Sequence, residues 1–280
     1  MRERVVVGVT DAAASRRAID WATDRAAGRG DAIELVSIVG GAVGVVGEGR
    51  VIDEALKLTQ HLLDREAERV RERGVPVETR VGRGNPVEQL IEASTGAALL
   101  VIGSDYRGPE SGPARGPHGI RITAGAHCPV VVVPDLDMAA REGVVVGVDG
   151  SAVSEAAVAF AAAEAERSGE PLIAVSTWSP VAIPLGMRTY PDEYLRNMQI
   201  LTEESLAISL AGLAQLYPDL VVRSVVESSY SPDAVINRLA MTARLAVIGS
   251  HGRGPIARFI LGSTSQQVLN RLATATVVVR

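Results

Sequence analysis

Residues Gly249–Ser263 read GSHGRGPIARFILGS, between the apolar run Leu245–Ile248 and the helix-like segment Thr264–Leu272. An apolar strand, a glycine-rich loop and a helix start set several backbone N–H groups around one concavity, where the helix dipole favours an anion. Gly249, Gly252 and Gly262 carry the pattern, with two residues between the first pair, nine between the second, and Ser263 directly after. Gly249 and Gly252 are expected to let the backbone turn sharply and approach a phosphate with no Cβ in the way. Ser263 offers a hydroxyl and an amide at the helix start, and Thr264 a second hydroxyl. The stretch predicts an α/β protein with a phosphate on this loop.

Working outward, the chain repeats itself. Arg4–Asp11 (RVVVGVTD) resembles Gly143–Gly150 (GVVVGVDG), Ala98–Ser104 (ALLVIGS) resembles Arg244–Ser250 (RLAVIGS), and Pro129–Val133 (PVVVV) resembles Ala275–Val279 (ATVVV). Two copies of a unit of about 140 residues, each of ordinary domain size, are implied. The seam is the polar linker Pro134–Glu142 (PDLDMAARE), which gives domains 1–136 and 142–280. In the first copy, strands are expected at Arg4–Val9, Ile33–Val39, Val75–Val81, Ala97–Ile102 and Val130–Val133. Helices are expected at Ala12–Ala27 (ending at Gly28), Val51–Arg73 (ending at Gly74), Val87–Ser94 and near Ile120–Ala126. Asn85-Pro86 reads as an N-cap and first helical residue.

The second copy follows the same plan. Strands are expected at Val144–Val148, Leu172–Thr177, Leu220–Val226, Leu245–Ile248 and Thr276–Val279. Helices are expected at Ser151–Arg167, from about Met198 to Leu216, at Pro232–Thr242 and at Ser263–Leu272. Near-continuous apolar strands separated by helices imply parallel sheets covered on both faces. The fold class is therefore α/β: two tandem, doubly wound, five-stranded parallel sheets, with strand order 3-2-1-4-5 expected. Such sheets take their ligand at the carboxyl ends of strands where the order reverses. If strands one and four flank that point, Asp149 and Gly249 face one crevice.

Composition narrows the function. With 47% apolar residues the chain has ample material for cores, and no apolar run approaches the roughly 18 residues of a membrane span. The opening MRERVVVGVT runs straight into a strand-like segment and lacks the plan of a signal peptide. One cysteine, Cys128, excludes an intrachain disulfide and a multi-thiolate metal site, so a reducing cytoplasm is expected. Preceding Pro129, it reads as a buried small residue at a strand start. A net charge of −5 argues against nucleic acid as a partner, and no membrane partner is expected. Lys57, the single lysine, lies in no glycine-rich loop, which excludes a P-loop. No G-x-G-x-x-G follows the first strand of either copy, and there is no H-E-x-x-H and no G-x-S-x-G elbow.

At Gly249, Gly252, Gly262 and Ser263, together with Asp149-Gly150-Ser151 after a strand, the chain resembles the universal stress protein family. ATP-binding members carry G-x2-G-x9-G-[S/T] after the fourth strand and an Asp after the first. The resemblance covers both halves, in the family's tandem arrangement. It implies that Asp149 lies beside the nucleoside and that Gly147, Thr177 and Ile248 line the pocket around adenine or ribose. It implies an adenine nucleotide, ATP with Mg²⁺ or Mn²⁺ held mainly by the phosphates. Arg253 and Arg258 are candidates to neutralise phosphate charge, although Arg107 repeats Arg253 in the other copy. His251 reads as a loop residue lending its backbone rather than as a base.

The first copy is an internal control. Gly103 aligns with Gly249 at an offset of 249 − 103 = 146, which pairs Gly116 with Gly262, Tyr106 with Gly252 and Pro117 with Ser263. Proline brings neither hydroxyl nor amide, the tyrosine is expected to crowd the phosphate path, and Thr10 stands for Asp149. A weak or absent nucleotide site is expected there, although Gly108 and Gly112 leave a loop able to rearrange. ATP binding without an evident base points to a sensor or regulator of stress response or growth control. A slow ATPase or adenylyl-transferring enzyme, with Trp178–Met198 as a lid, is the alternative. A pseudo-twofold unit, a homodimer and an unidentified protein partner are the expected assemblies, with the Val130–Val133 and Val277–Val279 edges pairing.

Overall fold

The computed structural model describes residues 2–40, 48–108, 118–181, 189–228, 230–252 and 260–280. The first half runs β1 (Arg4–Gly8), α1 (Ala13–Arg29), β2 (Ala32–Val39), α2 (Glu48–Glu72), β3 (Val77–Arg83), α3 (Pro86–Ala93), β4 (Leu99–Ser104), α4 (His118–Gly125) and β5 (Val130–Pro134). The second runs β6 (Val144–Gly147), α5 (Ala152–Ser168), β7 (Leu172–Thr177), α6 (Asp192–Leu210), α7 (Leu213–Leu216), β8 (Val222–Glu227), α8 (Pro232–Ala240), β9 (Leu245–Gly249), α9 (Ser263–Asn270) and β10 (Ala275–Val279). The chain divides into two compact units at Asp137–Met138, with Leu269–Ala275 belonging to the first.

Strand order is β3-β2-β1-β4-β5 in the first half and β8-β7-β6-β9-β10 in the second, as expected. Pairing is parallel: Val5 lies beside Ile33 on one side and Leu99 on the other, and Val144 beside Leu172 and Leu245. Sequence character tracks position in the sheet. The valine runs of β5 and β10 are buried along their whole length, as parallel strands covered on both faces require. The outer strands β3 (VETRVGR) and β8 (VRSVVE) are half-exposed and carry charge. Arg80 on β3 donates to Glu34 on β2 at 2.6 Å, and Arg4 on β1 reaches the same carboxylate at 2.5 Å.

Local signals explain most helix ends. Asn85 Oδ1 accepts from Val87 N at 3.0 Å ahead of Pro86, so that cap forms as read, and Ser151 Oγ caps α5 by accepting from Ser154 N at 3.2 Å. Ser231 occupies the N-cap of α8 without a side-chain bond. Gly28 does not end α1. The helix runs to Arg29, and Gly30 takes the left-handed conformation (φ +72°) with its amide on Ala26 O at 2.8 Å. The long helix of the second half starts earlier than read, at Asp192. Acidic Asp192 and Glu193 follow Pro191 in its first turn, where they complement the dipole. It breaks at Gly212 (φ +90°), and Leu213–Leu216 forms a separate turn.

Candidate functional site

In the second half, β6 and β9 are neighbours at the place where strand order reverses. Their carboxyl ends, with that of β7 and the starts of α8 and α9, enclose a cavity of about 350 Å³. Nine residues singled out from sequence line it: Gly147, Asp149, Thr177, Ile248, Gly249, Gly252, Gly262, Ser263 and Thr264. Arg253 and Arg258 lie outside the described residues, as do Gly112, Gly116 and Pro117 of the other half. Of the segment considered as a lid, residues 192–198 are the start of α6, and 182–188 lie outside the described residues.

Two hydrogen bonds clamp the two ends of the glycine loop together, and a third ties Ser250 to β10. Gly262 N donates to Ser250 O at 2.8 Å, Ser265 Oγ donates to Gly249 O at 2.7 Å, and Ser250 N donates to Val279 O at 2.7 Å. The carboxyl end of β9 is thereby tied to the first turn of α9. The first-turn amides of a helix have no intrahelical acceptor, and this turn begins at Ser263. Among the described residues, the hydroxyls of Ser263 and Thr264 also lack a protein partner. One wall of the cavity therefore presents donors at the positive end of a helix dipole.

The structure gives these glycines a packing reason of its own. None of Gly249, Gly252 and Gly262 adopts a left-handed backbone; a Cβ on Gly252 would overlap a protein atom, and one on Gly249 or Gly262 would make a tight contact. A Cβ on Gly249 would lie 3.0 Å from Val153 Cγ1 at the start of α5, and one on Gly103 would lie 2.5 Å from Ala14 O at the start of α1. Val153 and Ala14 correspond at the offset of the first strands, 149 − 10 = 139, so this glycine belongs to the scaffold of both halves. A Cβ on Gly262 would lie 3.3 Å from His251 Cα. Gly252 is peculiar to the second half: a Cβ there would lie 2.4 Å from Asp149 Oδ2.

Asp149 accordingly has two jobs for two oxygens. Its Oδ1 accepts from Ser151 N at 3.0 Å and shapes the turn into α5, while Oδ2 reaches across to the glycine loop. Thr10 keeps the first job, its Oγ1 accepting from Ala12 N at 3.3 Å, and has no atom for the second. Opposite Thr10 the loop carries Tyr106 instead of glycine. Tyr106 does not crowd the first-half cavity as expected. Its side chain is buried outside the lining, and that burial raises its phenol pKa above 10.

Sequence reasoning missed part of the cavity. Val175, Pro232 and Ile236 supply an apolar wall, with Val148 and Ser154 beside it. Ile236 packs so closely on Gly147 that a Cβ there would lie 2.9 Å from its Cδ1. The available signal was the Ser231-Pro232 helix start directly after β8, which returns the chain to the carboxyl edge of the sheet. His251 also lines the cavity, its Nδ1 3.0 Å from Ser250 Oγ. Among the described residues no three His, Cys, Asp or Glu side chains are placed to hold a metal ion, and no helix is long and apolar enough to cross a membrane.

Fold and cavity define a class: a tandem, doubly wound α/β protein with a crevice at the switch in strand order. The universal stress protein family model matches residues 1–134 and again 141–280. A universal stress protein of Mycobacterium bovis is 32% identical over 99% of this chain and 96% of its own length. One of Mycobacterium tuberculosis is 33% identical over 99% of this chain and 94% of its own. The crystal structure of a universal stress protein from Archaeoglobus fulgidus matches the fold with a TM-score of 0.70 at 20% identity, covering 98% of this chain and 97% of that one. The chain belongs to the universal stress protein family.

Proposed function

We propose that the second-half cavity binds an adenine nucleotide, ATP with Mg²⁺ or Mn²⁺ held mainly by the phosphates, and that its occupancy makes the protein a nucleotide-dependent sensor or regulator in stress response or growth control. The reading rests on one juxtaposition. Apolar side chains suited to a planar base (Val175, Ile236, Ile248) line the same cavity as Ser263 and Thr264 of the first turn of α9. A single cavity thus offers apolar groups matched to a base and donors matched to phosphates. The ion's ligands come chiefly from the phosphates. The protein acts in a reducing cytoplasm, consistent with a single cysteine in the sequence, and signals through a protein partner or a homodimer.

The test is calorimetry of ATP·Mg²⁺ with the full-length protein, beside mass spectrometry of any small molecule released from it. Ser263→Pro copies the sequence of the first half at the first helical position, where proline is tolerated. It removes one amide and one hydroxyl from a charged ligand, worth about 3 kcal/mol together and so about a hundredfold in affinity. Unchanged ATP binding by a folded Ser263→Pro protein overturns the phosphate assignment. Stoichiometric ATP that survives incubation supports a sensor; many turnovers within minutes support the ATPase alternative.

A further inference from the structure

Helix α6 (Asp192–Leu210) packs one side on β7, β8 and α5, with Leu206 buried on that side. Its opposite side holds three large apolar residues in water: Ile200 is 50% exposed, Leu201 60% and Ile208 75%. At about 100° per residue, these three and Glu204 fall within one stripe about 100° wide, the width with which a helix ordinarily faces a core. Glu204 stands in the middle of the stripe and Glu203 flanks it. Gln199 holds Glu203 in place, donating to its Oε1 at 2.7 Å while accepting from Trp178 Nε1 at 2.8 Å. Among the described residues, neither Glu203 nor Glu204 forms an ion pair. Arg196 is the one cation of the helix, against four carboxylates, and lies two turns before Glu203.

The matching helix of the first half differs. Buried Leu63 and Val70 correspond to buried Leu206 and Leu213 at an offset of 206 − 63 = 143. That offset sets Lys57, Leu58, His61 and Arg65 of α2 against Ile200, Leu201, Glu204 and Ile208. Of the two helices, only α6 carries an acidic group ringed by apolar ones.

The charge inside the stripe selects what can cover it. Covering Ile200, Leu201 and Ile208 with apolar surface alone would bury the Glu204 carboxylate without a partner, which is strongly unfavourable. A second copy presenting its own α6 about a two-fold axis centred on the stripe brings Glu204 against Glu204. The α2 of a second copy carries Glu54, Asp64 and Glu68 on its exposed side beside its cations. An anionic lipid surface repels both glutamates. A helix with apolar residues at i, i+4 and i+7, and Lys or Arg among them, meets both demands: it covers the apolar side chains and neutralises Glu204.

We propose that the exposed face of α6 is a docking surface for a basic amphipathic helix of another protein. None of Ile200, Leu201, Glu204 and Ile208 lines the cavity at the carboxyl ends of β6 and β9, so this surface stands independently of what that cavity binds.

The experiment follows labelled synthetic peptides by fluorescence anisotropy with the full-length protein. The probe is a Leu/Lys peptide of 19 residues, the length of α6, with its leucines at helical spacing. The controls are the same composition in scrambled order and a Leu/Glu peptide of the same spacing. The Leu/Lys helix is expected to bind at least about tenfold more tightly than either control, and Leu201→Ser or Ile208→Ser to weaken it at least about tenfold. Leu58→Ser, at the matching place on α2, is expected to leave binding unchanged. Glu204→Lys is expected to reverse the preference, losing the Leu/Lys helix and gaining the Leu/Glu helix, a gain that misfolding does not produce. Thermal melting of each variant checks that it is folded. The proposal is overturned if the scrambled peptide binds as well as the Leu/Lys helix, because charge alone is then enough. It is overturned equally if a folded Ile208→Ser or Glu204→Lys protein binds the Leu/Lys helix as tightly as wild type. A wild-type dimer in sedimentation that Ile208→Ser dissolves gives the face to a second copy instead. Binding to phosphatidylcholine–phosphatidylglycerol vesicles that Ile208→Ser abolishes gives it to a membrane, and either result sinks the proposal.

Discussion

Replacing Gly252 by alanine tests the pairing of the glycine loop with Asp149. The new Cβ would sit 2.4 Å from Asp149 Oδ2, about 0.6 Å inside the 3.0 Å that real Cβ contacts respect. Asp149 is too short to swing aside freely, because its Oδ1 is held by Ser151 N at 3.0 Å in the turn that starts α5. Relief requires the carboxylate to rotate out of that turn or the loop to shift against its clamp at Ser250 and Gly262. Overpacking of this kind costs about 1–3 kcal/mol, or about 2–10 °C in melting temperature for a domain of this size. The decisive measurement is a double-mutant cycle by calorimetric melting with Asp149→Thr, the residue the first half uses opposite its tyrosine. Because threonine has no atom at the Oδ2 position, the alanine penalty should fall by about 1 kcal/mol or more in that background. A penalty equal in both backgrounds, within about 0.3 kcal/mol, refutes the idea that Gly252 is glycine on account of Asp149.

Other consequences are equally direct. Gly103→Ala drives a Cβ to 2.5 Å from the backbone oxygen of Ala14, whereas Gly249→Ala meets the rotatable tip of Val153 at 3.0 Å; the first should lose about 3 kcal/mol or more and the second about 1–2 kcal/mol in thermal melts, and the opposite ranking refutes the scaffold role. Ser265→Ala removes the bond to Gly249 O from a buried side chain and should destabilise the second unit by about 1–2 kcal/mol, with increased proteolysis of the glycine loop. Asp135 accepts from Arg17 at 2.8 Å and Arg107 at 3.0 Å; these bonds, Arg17 first, hold its carboxyl below the ordinary carboxylate range against the opposing effect of burial. The stabilisation is therefore present above the unfolded carboxylate pKa and lost as pH falls through the lower folded value. Asp135→Asn should melt below wild type at neutral pH, with the gap closing in acid; a gap independent of pH would show the ion pairs to be idle.

The repeat and the element types follow from local pattern in the sequence; the strand order was an expectation that the pairing of β1 with β4 and of β6 with β9 settles. Valine runs such as Val130–Val133 are too apolar for anything but a covered parallel strand, and Asn85-Pro86 and Ser151 announce their helices without outside help. The sequence also marked one wall of the cavity, since a glycine loop leading into Ser263 and Thr264 is a contiguous signal. What each glycine packs against follows from the fold. Gly249 answers to Val153, Gly252 to Asp149 and Gly262 to His251, and the first two of these contacts join residues about a hundred positions apart that no single-sequence periodicity relates. The apolar wall from Pro232 and Ile236 was likewise out of reach, because a helix face gains meaning only when the sheet brings it to a neighbour's edge. The first half gives the sharpest contrast: its motif is broken in sequence, yet its cavity remains open, because burial sends the Tyr106 ring into the core. The loop at Gly249–Ser263 was legible from its residues as a glycine-rich turn leading into a helix; that a carboxylate, Asp149, occupies the space a side chain at Gly252 would need is a fact of packing.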